Sequence, residues 1–212
     1  MTALPLSPAD GGGRFPGFDV LSQQGHWDDV TRGMIEDRLA VSSEYSFFTP
    51  EEAEAARALC DQLLYQRGEP AVPVARMVDA RIAAGQTDGW HYDTMPPDHE
   101  AWRLSLAALD EDAVEEQGNR FHLLAWDEQT RLLARIQDLK DAQWHGMGAS
   151  GVWSLWTRYA CTAFYSHPAA WDEIGFAGPA YPRGYKNIGI DKLEPFEVRD
   201  ADPGDDPLRV RS

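Results

Sequence analysis

Hydrophobic residues that recur every three or four positions predict a series of helices through the middle of the chain. The clearest start is at Thr49, which can cap a helix whose first residue is Pro50, while Glu52 completes a reciprocal cap. Asp110 and Asp127 are expected to cap the helices that follow them. The further helices are predicted at 73–85, 99–109, 110–118, 127–139 and 150–165.

The chain that follows the last of these helices is rich in turn-forming residues and in large apolar side chains. Between His167 and Tyr185, three prolines and three glycines interrupt the sequence, which predicts an irregular segment. Its rings must be covered by the protein's own core or by another chain, and at this point the two alternatives are equal. The candidate interface residues are Trp171, Phe176, Tyr181, Pro182, Arg183 and Tyr185.

No alternating run of apolar and polar residues is long enough to predict a sheet, so the fold class is all-α. We expect a single irregular helical domain of about five to six helices, spanning residues 46–191. It is preceded by a mobile N-terminus at 1–14 and an N-terminal arm at 15–45. An extended or disordered tail is expected at 192–212.

Composition narrows the choice of partners. The formal net charge of −16 repels phosphate backbones and anionic headgroups, so we expect neither nucleic acid nor a membrane as a partner. The two cysteines, Cys60 and Cys161, are far apart and form no metal-ligand pattern. Cys60 falls on an apolar helical face and is expected to be a reduced core residue.

Two patterns could carry chemistry in this chain itself. The glycines at 146–151 satisfy a nucleotide-binding spacing, but a charged helical pattern precedes them instead of a buried strand, so we interpret them as a link between helices. The loop containing His91 and His99, with neighbouring carboxylates, could hold a metal ion if it folded back on itself. A Ser166–His167 pair offers a nucleophile and a base, but adjacent side chains point in different directions.

Several segments together resemble the gluconate 2-dehydrogenase subunit 3 family over about residues 45 to 190. They are the Phe-Phe-Thr-Pro-Glu-Glu-Ala start at 47–53, the Val-Pro-Val-Ala-Arg-Met-Val-Asp helix at 72–79, and the stretches at 102–110, 121–133 and 156–171. The resemblance implies a small helical partner of an FAD-dependent oxidoreductase of the glucose-methanol-choline type. The large subunit carries FAD and oxidises a sugar, a sugar acid or a glycoside alcohol.

The resemblance thus implies that this chain is a non-catalytic accessory subunit that stabilises or matures the large subunit, with no cofactor of its own. It also favours an interface over a lid for the rings at 171–185. The alternative is a stand-alone, metal-assisted enzyme that uses the loop with His91 and His99. Many family members begin with a twin-arginine export signal, which is absent here, so we expect a cytoplasmic complex.

Overall fold

The structure is a computed structural model that describes residues 14–15, 17–68, 72–90 and 92–200. In these ranges the chain forms seven α-helices, two short 3-10 helices and one pair of two-residue strands, so the all-α prediction is confirmed with slightly more helices than expected. The α-helices are α1 (Asp29–Leu39), α2 (Pro50–Leu63), α3 (Val74–Ala83), α4 (Asp98–Gln117), α5 (Trp126–Asp138), α6 (Ala149–Ser166) and α7 (Pro168–Ile174).

The 3-10 helices are Val20–His26 and Phe121–Leu123, and the strands are β1 (Gln143–Trp144) and β2 (Met147–Gly148). None of the helices in the described ranges is both long enough and apolar enough to cross a membrane. The predicted mobile start and disordered end fall mainly on residues 1–13 and 201–212, which lie outside the described residues.

The described residues group into two compact units. The central unit consists of Ser42–Tyr65 and Pro73–Ala163. The terminal unit consists of the described parts of Met1–Val41, Gln66–Val72 and Phe164–Ser212.

In the central unit, the predicted start of α2 is confirmed. The hydroxyl of Thr49 accepts a hydrogen bond from the backbone N–H of Glu52 at 3.3 Å, and the Glu52 carboxylate accepts one from the backbone N–H of Thr49 at 2.9 Å. This reciprocal cap satisfies N–H groups that a helix start leaves without intrahelical partners. Cys60 lies on the buried side of α2 as a free thiol, as predicted, and burial raises its pKa.

The approach to α2 is fixed by a buried carboxylate on α3. Asp79 accepts hydrogen bonds from three consecutive backbone N–H groups, those of Ser46 at 2.7 Å, Phe47 at 3.0 Å and Phe48 at 2.8 Å. Asp79 is almost completely buried, so these bonds replace the water that its charge has lost. They also fix the position of the Phe48 ring, which packs edge-on against Trp102 at a centroid distance of 5.8 Å.

Tryptophan and tyrosine side chains build the core between α4 and α6. Trp102 on α4 contacts Tyr159 on α6 at a ring-centroid distance of 5.9 Å. Trp156 Nε1 donates to the hydroxyl of Ser105 at 2.9 Å, which gives this buried indole a partner. The interpretation of residues 150–165 as a core helix is therefore confirmed.

Two helix starts differ from the sequence-based prediction. Residues 99–117 form one continuous helix, α4, because the Asp110 carboxylate accepts a hydrogen bond from the backbone N–H of Phe121 at 2.9 Å instead of capping a new helix. Helix α5 begins one residue before the predicted Asp127 cap, with Ala125 at the capping position. The Glu128 carboxylate accepts from the Ala125 N–H at 2.8 Å.

Residues 146–148 of the glycine motif lie in a hairpin that links α5 to α6, and residues 149–151 form the start of α6, so the interpretation as a link between helices holds. His145 and Gly146 both have positive φ, 49° and 78°, which suits the two-residue turn between β1 and β2. Asp112 on α4 braces this hairpin, because it accepts from Trp144 Nε1 at 2.9 Å and contacts His145 Nε2 at 2.7 Å. Gly151 leaves room for Met95, whose Cγ would lie 2.8 Å from an added Cβ.

We expect the substitution Asp79→Asn to lower the free energy of unfolding by about 2–4 kcal/mol, because an amide oxygen cannot replace a carboxylate that accepts three backbone N–H groups. The midpoint of denaturant unfolding measures the change. Asp93→Asn, in an exposed loop, is the matched control and should shift stability by less than about 0.5 kcal/mol. Equal midpoints for the two variants would contradict the role of Asp79.

Candidate partner interface

The candidate interface begins in a short helix that the sequence analysis did not predict. Residues 168–174 form α7, and the prediction of an irregular chain from His167 onwards is wrong for this stretch. His167 Nδ1 caps α7 by accepting from the backbone N–H of Ala169 at 3.2 Å, and Pro168 occupies the first turn, where its missing N–H costs nothing. Burial lowers the pKa of His167, which favours the neutral ring that this cap needs.

Trp171 on α7 lies inside the terminal unit. Its ring is 4% exposed and belongs to a core with Val20, Trp27 and Ile35. Trp171 Nε1 donates to the backbone carbonyl of Tyr165 at 2.7 Å, so the polar atom of the ring also has a partner. Trp171 is therefore covered by the protein's own chain.

Four of the remaining candidate residues, Phe176, Tyr181, Pro182 and Tyr185, are exposed. The exposed apolar surface continues beyond them, because Ile188 and Ile190 are 89% and 92% exposed and Leu193 is also exposed. Residues 181–193 are called the exposed segment below. The sequence analysis missed the two isoleucines, and the apolar residues in the stretch Asn-Ile-Gly-Ile-Asp at 187–191 were the available signal.

A buried carboxylate closes the exposed segment into a loop. Glu194, which is 6% exposed, accepts hydrogen bonds from the backbone N–H groups of Lys186 and Asn187. The Asn187 side-chain amide donates to the carbonyl of Leu193 at 3.0 Å. These bonds fix both ends of the stretch that carries Ile188 and Ile190, so the two side chains are presented from a held loop.

Arg183, the one candidate residue that is half-buried, joins the exposed segment to the N-terminal arm. Its Nη1 atom donates to Gln23 Oε1 at 2.9 Å, and its guanidinium carbon lies 3.7 Å from the centroid of the Phe196 ring. Tyr185 also contacts Phe196, at a centroid distance of 6.1 Å. Residues 192–200, predicted to be part of an extended tail, thus include a buried anchor and a ring that packs on the exposed segment.

Two further carboxylates attach the arm and the residue directly before it to α7. Asp172 accepts from the backbone N–H of Val20 at 2.7 Å, and the buried Glu173 pairs with Arg14. Burial raises the pKa of Asp172 to about 6, although the Val20 N–H opposes this shift. Ser166 and His167, the pair considered for nucleophilic catalysis, lie at the end of α6 and in the cap of α7.

The residues of the loop considered as an alternative metal site are not brought together in the described part of the chain. Asp98 is buried and accepts from the hydroxyl of Tyr159 at 2.7 Å, whereas His99 is exposed. His91 lies outside the described residues. Over the ranges that the structure describes, no group of three or more His, Cys, Asp or Glu side chains is arranged to hold a metal ion.

The central unit carries a separate groove of about 480 Å³ between α2 and α4. Its floor is formed by small and apolar side chains, including Ala55, Leu106 and Val114. Carboxylates on both helices border it, among them Glu51 and Glu115, so anionic ligands are disfavoured there.

These features define a class of protein: a small helical chain whose terminal unit presents an exposed apolar segment. Residues 50–178 match the family described as gluconate 2-dehydrogenase subunit 3, which is more than half of the chain, and the chain therefore belongs to the gluconate 2-dehydrogenase subunit 3 family. Comparisons with curated proteins and with solved structures give no match.

We expect Asp172→Asn to stabilise the chain increasingly as the pH rises from about 4 to about 7, relative to the unsubstituted protein. The pKa of Asp172 is raised from 3.8 to about 6 on folding, so its favourable contribution is complete below 3.8 and is lost as the pH passes 6. The amide keeps an acceptor for the Val20 N–H without a buried charge.

Thermal unfolding of both proteins across this pH range measures the difference, and Asp37→Asn on the exposed side of α1 is the control. A difference that does not change with pH would contradict the raised pKa.

Proposed function

We propose that this chain is a non-catalytic accessory subunit of an FAD-dependent dehydrogenase complex, and that the exposed segment binds the large subunit. Family membership supports the role of a dehydrogenase subunit. The observation that carries the interface is the near-complete exposure of Ile188 and Ile190 on a loop held by buried Glu194. A partner that covers these side chains removes apolar surface from water at little cost in loop ordering.

The exposed segment is preorganised for binding. Burying a fully exposed isoleucine side chain is worth about 1.5–3 kcal/mol. A mobile loop would lose much of this gain, because ordering each residue costs about 1–2 kcal/mol. Glu194 and Asn187 fix the loop before the partner arrives, and Tyr181 and Tyr185 add large, stiff side chains of the kind that anchor interfaces.

The polar groups of the central unit support the same division of labour. Asp79 and Asp110 each accept backbone N–H groups, and Asp98 accepts the Tyr159 hydroxyl, so these carboxylates stabilise the fold. We therefore assign FAD, the substrate and hydride transfer to the large subunit, of the glucose-methanol-choline type. The substrate that we propose is a sugar, a sugar acid or a glycoside alcohol, and a cytoplasmic location stays a prediction.

Co-expression with a glucose-methanol-choline flavoprotein encoded beside this chain tests the proposal. We expect a stable complex that carries flavin absorbance, whereas this chain purified alone carries none. Such an obligate interface should bury more than about 2,000 Å² in total. A monodisperse chain that forms no complex with the flavoprotein would refute the proposal.

We expect the double substitution Ile188→Ser and Ile190→Ser to weaken the complex by about 30- to 1,000-fold, since each of the two lost anchors costs about 1–2 kcal/mol. The matched control is Val30→Ser with Met34→Ser, which removes two exposed apolar side chains from α1 of the same unit. Affinity is measured by titration, with circular dichroism to verify folding. Equal losses for the two double variants would show that the exposed segment has no special role.

For the buried Trp171 the expected result is different. Trp171→Ala should lower the stability of the chain by about 3–5 kcal/mol, because it leaves a cavity in the core of the terminal unit. Thermal unfolding of the chain without its partner measures this effect. If Trp171→Ala left the stability of the chain unchanged but abolished binding to the flavoprotein, Trp171 would instead belong to the interface.

A further inference from the structure

A cavity in the terminal unit lies between the 3-10 helix Val20–His26 and the ends of the exposed segment. Its volume is about 470 Å³, which is large enough for a small organic acid or a protein side chain. The residues that matter for its chemistry are Gln23, His26, Arg183, Lys186, Glu194 and Phe196.

The lining of this cavity is cationic, in contrast to the chain as a whole. Arg183 and Lys186 carry positive charges, in a protein with a formal net charge of −16. The carboxylate in the lining, Glu194, is occupied by the backbone N–H groups of Lys186 and Asn187. Its single negative charge leaves the lining with a net positive charge from Arg183 and Lys186.

Arg183 has two donors without a partner. Nη1 donates to Gln23, but Nε and Nη2 are buried and have no hydrogen-bond partner in the described part of the chain. These two nitrogens lie on the same edge of the guanidinium group, which is the edge that binds a carboxylate through two parallel hydrogen bonds. Phe196 stacks on the plane of the group and holds its orientation.

The burial of these donors makes an added acceptor more favourable. A buried donor without a partner is unfavourable, and the folded chain already bears that cost at Nε and Nη2. A carboxylate that reaches both atoms removes it and also meets the charge of Lys186. Because both nitrogens are buried, a carboxylate can reach them only if a neighbouring side chain moves.

We propose that this cavity is a carboxylate-binding site, in which Arg183 Nε and Nη2 hold the two oxygens and Lys186 supplies a second positive charge. The carboxylate comes either from an acidic side chain of the large subunit or from a free organic acid. A carboxylate from the large subunit rests on the proposed function, because the cavity adjoins the exposed segment. A free organic acid does not depend on the proposed function.

The first arm of the test titrates the full chain alone with sodium acetate, succinate or gluconate at constant ionic strength, with sodium chloride as the reference. Calorimetry and thermal unfolding detect binding. If the ligand is a free acid, we expect it to raise the melting temperature of the chain. Its apparent affinity should be at least about tenfold lower for Arg183→Lys, which keeps the positive charge but loses the paired N–H donors of the guanidinium group. Arg131→Lys, on the exposed side of α5, is the matched control.

The second arm measures binding to the flavoprotein. If the partner supplies the carboxylate, the free acids do not bind the chain alone, and Arg183→Lys weakens the complex at least about tenfold more than Arg131→Lys. Lys186→Gln provides a second variant at an exposed position if Arg183→Lys does not fold.

The outcomes separate the two proposals. Free-acid binding that depends on Arg183, with no complex formed, supports the site and refutes the accessory role. A complex that depends on Ile188 and Ile190 but not on Arg183 or Lys186, with no free-acid binding, overturns the carboxylate site and leaves the accessory role standing.

Discussion

The contact on which the central unit depends is the one between the Asp79 carboxylate and three consecutive backbone N–H groups before α2. It joins two of the stretches that carry the family resemblance, 47–53 and 72–79, and it positions Phe48 against Trp102. A fold without a sizeable sheet cannot use strand pairing to fix its irregular stretches, so buried side chains must satisfy their backbone groups. Glu194 repeats this device in the terminal unit, where it closes the exposed segment.

Much of the helical architecture follows from local sequence, because the signals involved are local. The Thr49–Pro50–Glu52 cap and the apolar period of α6 act within a few turns, and the structure has both. The errors arise where a residue type has more than one use. Aspartate can cap a helix or bond a distant backbone group, and Asp110 does the latter. Proline can break a helix or begin one, and Pro168 begins α7.

The candidate interface could be located from sequence but not delimited. Aromatic, proline and glycine residues mark the stretch after α6, yet nothing local distinguishes a ring that the N-terminal arm covers from one that stays exposed. Trp171 is covered by residues more than a hundred positions earlier, whereas Tyr185 is not. Ile188 and Ile190 follow no helical period, and their exposure depends on Glu194, which stands in a charged stretch that suggested an extended tail. Whether each of these side chains is buried or exposed is decided by tertiary packing and not by local sequence.

We therefore propose that residues 181–193 of this chain supply a preorganised apolar surface to a larger dehydrogenase subunit. Hydrogen–deuterium exchange of the full chain, alone and in complex with the flavoprotein, tests this claim most directly, because it maps protection along the backbone. We expect the complex to show new protection from exchange that is concentrated at residues 181–193. Protection confined to the groove between α2 and α4, with unchanged exchange at residues 181–193, would contradict it.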